Sequence, residues 1–162
     1  MPRGKPLDVP RELIEAFDRS TRLTEYLVAA LPAYVWQAEP LQGEGRSIAA
    51  IVAHMQSLRR GFAKMGGYEP VAQTLSGRTP TQDEAVEALR QSREALVELF
   101  GGALERGEAR VKGLPRRTVD MLTYLMQHDA HHRGQIALLA REFGHRLTED
   151  DVMRMWGWKK LP

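Results

Sequence analysis

Apolar positions recur along this chain at steps of three and four, the spacing of one face of an α-helix. Leu13, Phe17, Leu23, Leu27 and Leu31 form the first such stripe. Asp8 stands where an N-cap belongs, with Val9-Pro10 in the first turn, where proline is tolerated. The pattern predicts a first helix over 9–31. Pro32 starts a change, and residues 36–45 read as a connection, with one helical turn allowed at its start. Ser47 caps a second helix carrying Ile48, Ile51, Val52, Met55, Leu58 and Phe62, which Gly66-Gly67 ends.

Residues 68–80, with Pro70, Gly77 and Pro80, form a loop. Thr81-Gln-Asp-Glu84 then fits a capping box. It opens a third helix through Ala85, Ala88, Leu89, Leu96, Leu99 and Phe100, ending near Gly101-Gly102 or a turn or two later. After a second connection over 106–116, Thr118 opens a fourth helix. Its stripe is Met121, Tyr124, Leu125, His128, His132, Gln135, Ile136 and Leu139, and Gly144 follows its end. A short last helix starts at Thr148 and carries Met153, Met155 and Trp156. No segment alternates with period two. Amphipathic helices of this kind bury one another as an all-α four-helix bundle, with the short C-terminal helix added. The expectation is one domain over 1–162, its first eight residues a loose arm.

Composition adds three constraints. Lys and Arg total 23 against 21 Asp and Glu, without a long basic run, so charge gives nucleic-acid binding no support. No apolar run approaches the ~20 residues that cross a bilayer, and the N-terminus has no secretory h-region. These features predict a cytoplasmic protein that neither enters membranes nor binds nucleic acid. Cysteine is absent, so any metal must be held by histidine and oxygen ligands.

Candidate chemistry concentrates in histidine. Three of the five fall within five residues, His128, His131 and His132. Residues four apart share a helix face, so His128 and His132 present two imidazoles side by side. His54, flanked by Ile51 and Leu58 on its own stripe, points into the bundle from the second helix. If the second and fourth helices are neighbours, His54, His128 and His132 can meet. Three histidines plus water make an open coordination shell of catalytic type. The plainer alternative is an interior histidine that simply hydrogen-bonds within the core. His131 lies about 60° around the helix from His128, which suits an outer contact or a structural hydrogen bond. Asp129 falls off the metal stripe, a surface or supporting group. Gly134 suggests close approach by another helix, Arg133 a carboxylate partner, and Gln135 a place near the metal stripe. His145 reads as an exposed loop residue, and Trp36, Trp156 and Trp158 as core or interface anchors. No Asp or Glu stands on the inward stripes of the second and fourth helices to act as a general base.

The run His128-Asp-Ala-His-His-Arg-Gly-Gln-Ile136 resembles the signature of the DinB-like family, within the broader DinB/YfiT superfamily. Gly45-Arg-Ser-Ile-Ala-Ala-Ile-Val-Ala-His54 is similar to that family's helix-two histidine segment, and Leu31-Pro-Ala-Tyr-Val-Trp36 to the loop before it. The resemblance implies an up-down-down-up bundle whose three histidines, here His54, His128 and His132, bind a divalent metal, zinc or nickel. It also implies a homodimer. The activities it suggests are a thiol-dependent transferase using a low-molecular-weight thiol on a small-molecule substrate, or a hydrolase working through an ion-activated water. A non-catalytic metal-binding scaffold is the alternative of another class.

Overall fold

The computed structural model describes residues 6–40, 43, 45–69, 73–75 and 79–161. Its elements are α1 (Val9–Ala30), α2 (Ala33–Trp36), α3 (Ile48–Met65), α4 (Gln82–Glu105), α5 (Thr118–Glu142) and α6 (Glu149–Met155). No strand occurs among the described residues. The four long helices expected from periodicity are α1, α3, α4 and α5. The single helical turn lies at 33–36, just before the connection where it was expected. Helix α4 runs through Gly101-Gly102 to Glu105. Most of the expected arm, along with Pro70 and Gly77, lies outside the described residues.

Local signals set the ends. Asp8 and Ser47 accept hydrogen bonds from the third residue onward, and Thr81 with Glu84 closes a capping box. At the end of α5, Gly144 has φ +85°, and its N–H and that of His145 donate to Arg141 and Ala140 carbonyls. A glycine takes that left-handed conformation without steric cost. Gln82, opening α4, donates to the Val28 and Leu31 carbonyls at 2.6 and 2.7 Å, which adds a side-chain donor to carbonyls at the end of α1.

Side-chain contacts give the helix directions. Gln82 meets the end of α1 while Phe100 meets Phe17, so α1 and α4 are antiparallel. Phe62 packs on Tyr124 and His54 on His132, so α3 and α5 are antiparallel. Arg59 reaches Leu89 and Gly66 approaches Leu99, so α3 and α4 run parallel. The order is therefore up-down-down-up.

The core has two apolar clusters. One gathers Leu27, Val35, Trp36, Ile48, Val52, Met55, Leu89 and Ile136. The other gathers Phe17, Ala63, Leu96, Phe100, Met121 and Leu125. On every long helix buried polar residues fall between them: Thr21 and Thr24, Gln56 and Arg59, Ser92, then Asp129 and His132; Thr118, at the start of α5, is the one buried polar helix residue outside this layer among the described residues. A polar layer thus crosses the middle of the bundle. Apolar periodicity does not reveal it, because these residues occupy core positions without being apolar.

The connection after α4 is locked against α3. Gly113 has φ +90°, and a Cβ built there would lie 2.0 Å from the Met65 carbonyl oxygen. Backbone cannot yield as a flexible side chain can. Gly113→Ala is expected to destabilise the protein by about 2–3 kcal/mol, measured by urea unfolding. A variant as stable as the parent would contradict this packing.

Candidate metal centre

Helix α3 carries His54, and α5 carries His128 and His132 one turn apart. Because the two helices are antiparallel neighbours, all three imidazoles converge. His128 Nε2 lies 3.2 Å from His54 Nε2 and 3.1 Å from His132 Nε2. One ligand atom from each residue lies within 4.8 Å of the other two. Two nitrogens each roughly 2.0–2.1 Å from one tetrahedral ion would be ~3.3 Å apart. The two short separations match that spacing, and the group could hold a metal ion.

The hydrogen bonding around the cluster is compatible with holding an ion. His132 Nδ1–H donates to Gln135 Oε1 at 2.7 Å. That bond fixes the tautomer and leaves the Nε2 lone pair facing the other two rings. Burial lowers the pKa of His54, helped by His128 and Arg46. Burial also lowers that of His132, against the Gln135 hydrogen bond and with help from the neighbouring imidazoles. Both rings are therefore neutral at neutral pH, the form a metal requires.

A pH dependence follows. A histidine whose pKa is depressed on folding is protonated first in the unfolded chain. Its contribution to stability is whole above the unfolded value of about 6.5 and is lost as pH falls below it. The metal-free protein should melt at progressively lower temperature from about pH 7.5 to 5.5, and His54→Gln should flatten that trend. A melting temperature that rises over this interval would contradict the assignment.

The other singled-out residues separate clearly. His131 is exposed and stays outside the cluster, its ring 5.1 Å from that of His132. His132, and not His131, joins His54 and His128 in the cluster. Of the two readings of Asp129, the surface one is overturned: it is fully buried and forms an ion pair with the equally buried Arg59. An acidic group does therefore stand inside α5, but its Oδ2 is committed to Arg59. Burial opposes ionisation of Asp129, yet the Arg59 charge prevails and holds its carboxyl below the usual range. Arg133 pairs with no carboxylate among the described residues; it donates to the Ser20 carbonyl at 2.9 Å and to Thr24 Oγ1 at 3.3 Å. Gly134 is exposed with nothing near its Cβ position, so no helix approaches it and the structure gives no packing reason for a glycine there. His145 is half-buried, not exposed. Trp36 is a core anchor whose Nε1 donates to the Pro80 carbonyl, while Trp156 and Trp158 are 75% and 72% exposed and leave the core.

Beside His132 lies a cavity of about 410 Å³, walled by Arg46, Ile51, Gln135, Leu138, Leu139 and Glu142 among others. Arg46 and Glu142 were not singled out from sequence. Arg46 precedes the Ser47 cap and Glu142 lies ten residues after His132, and neither spacing signals a pocket. Of the three histidines, His132 lines this space. Among the described residues, no helix is long and apolar enough to cross a membrane. The DinB family model matches residues 3–159. No curated protein and no solved structure matches the chain.

Proposed function

This chain belongs to the DinB family, and from that premise we propose that it is a metal-dependent enzyme of the thiol-S-transferase kind acting on small molecules. The divalent ion is held by His54, His128 and His132, with zinc the first choice and nickel the second. The observation that carries this reading is the convergence of three Nε2 atoms in a cluster whose His132 lines an open cavity. When bound, such an ion lowers the pKa of a coordinated thiol or water. His132, oriented by Gln135, presents its lone pair to the ion. Ile51, Leu138 and Leu139 supply an apolar wall, and Arg46 a positive charge, for a small-molecule substrate. The chain has no cysteine, so the nucleophilic thiol arrives as a ligand.

Glu142 supports a second reading, hydrolysis. It lines the same cavity as His132 and is the kind of group that removes a proton from an attacking water. Incubation of metal-loaded protein with low-molecular-weight thiols and a panel of electrophiles distinguishes the two. Thiol-dependent turnover, lost in His132→Ala, is the expected result. Turnover without thiol that falls in Glu142→Gln would favour hydrolysis, and turnover that persists without metal would refute both. We also propose a homodimer that covers the exposed Trp156 and Trp158. Light scattering at micromolar concentration checks this, and a monomer would contradict it.

A further inference from the structure

Among the described residues, the polar layer contains three buried side-chain atoms without hydrogen-bond partners: Arg59 Nε, His128 Nδ1 and Asp129 Oδ1. Of these, His128 Nδ1 and Asp129 Oδ1 lie 3.9 Å apart. Leaving either buried and unsatisfied is costly, so each needs a partner. Each offers what the other lacks, an imidazole N–H and a carboxylate oxygen. The remaining contacts already point the two groups correctly. His128 Nε2 faces His54 and His132, which leaves Nδ1 on the far side of the ring. Asp129 Oδ2 is taken by Arg59, which is itself anchored on α4 through the Leu89 carbonyl at 3.4 Å.

We propose that Asp129 is a positioning residue for the metal centre: it accepts the His128 Nδ1–H and so keeps the Nε2 lone pair aimed at the ion, with Arg59 bracing the carboxylate from α4. A small rotation of the His128 ring closes the 3.9 Å separation to hydrogen-bond length. A ligating histidine that donates its other nitrogen to a carboxylate is held in one tautomer and made a better ligand. His132 gets the same service from Gln135, so two of the three ligands are braced. This inference rests on the metal reading above, but its tautomer claim is testable without metal.

The test combines nitrogen NMR of the imidazoles with metal-affinity measurements. In wild-type protein, metal-free or zinc-loaded, His128 should be the Nδ1–H tautomer with a slowly exchanging proton, its signal assigned by loss in His128→Gln. An Nε2–H tautomer, ligation through Nδ1, or a proton exchanging freely with water would overturn the proposal. The double substitution Arg59→Met with Asp129→Leu removes both charges together, so the bundle can remain filled. It should lose about 10–100-fold in zinc affinity and lose the slow proton. Unchanged affinity and an unchanged His128 signal would show that Asp129 serves Arg59 alone. Should the double variant not fold, the wild-type tautomer decides. If wild type binds no metal while His128 keeps its protected Nδ1–H, the metal reading fails and the contact stands.

Discussion

Replacing Arg59 alone by methionine is expected to lower the unfolding free energy by about 3–5 kcal/mol, a large share of what a domain of this size possesses. The reason lies across the bundle. Arg59 and Asp129 are each wholly shielded from water and pair with each other. Without the guanidinium, Asp129 must stay charged in an apolar surround or take up a proton, and either is costly. The loss of packing is small, because methionine refills much of the volume. Asp129→Leu should destabilise by a similar amount through the stranded Arg59. The double substitution should be much milder than the sum, because replacing a buried pair by apolar residues is often neutral or stabilising. Urea unfolding of the two single variants and the double variant checks this. Additive losses would mean that the two charges do not depend on each other.

This pair also marks the limit of what sequence patterning reveals. The four long helices were legible because their stripes and caps agree: Ser47, the Thr81–Glu84 box and Gly144 each act locally, within four residues. The histidine cluster was legible for a related reason. His128 and His132 are one turn apart, and His54 lies on an unmistakable interior stripe. Arg59 and Asp129 were not, since a charged residue ordinarily signals a solvent face. Their positions did carry a signal. Arg59 follows Met55 by four and Val52 by seven, and Asp129 follows Leu125 by four and precedes Ile136 by seven. Both sit on core stripes whose apolar members continue past them. Partners 70 residues apart are joined only by the fold. Gly134 shows the converse error, a glycine read as a close helix crossing where α5 is open to solvent. The cavity wall was illegible because Pro40, Gly45 and Arg46 come from a connection whose path depends on tertiary packing.

The other large effect concerns the ligands. Removing one imidazole from a three-histidine site leaves two donors, too few to hold a divalent ion firmly against water. His54→Ala, His128→Ala and His132→Ala should each weaken metal binding by more than ~100-fold, beyond the loss expected for a supporting residue. His131→Ala should leave binding intact, because that side chain is exposed and turned from the cluster. The contrast separates the two adjacent histidines, which composition and local sequence treat alike. It also separates a metal centre from a set of core histidines, since loss of a merely structural imidazole would change stability without changing metal content.

Metal analysis of protein purified without a histidine tag tests the central claim most directly. About one divalent ion per chain is expected in wild type and in His131→Ala, falling to near zero in His54→Ala and His132→Ala. A metal content unchanged by His54→Ala and His132→Ala would contradict the assignment of the site.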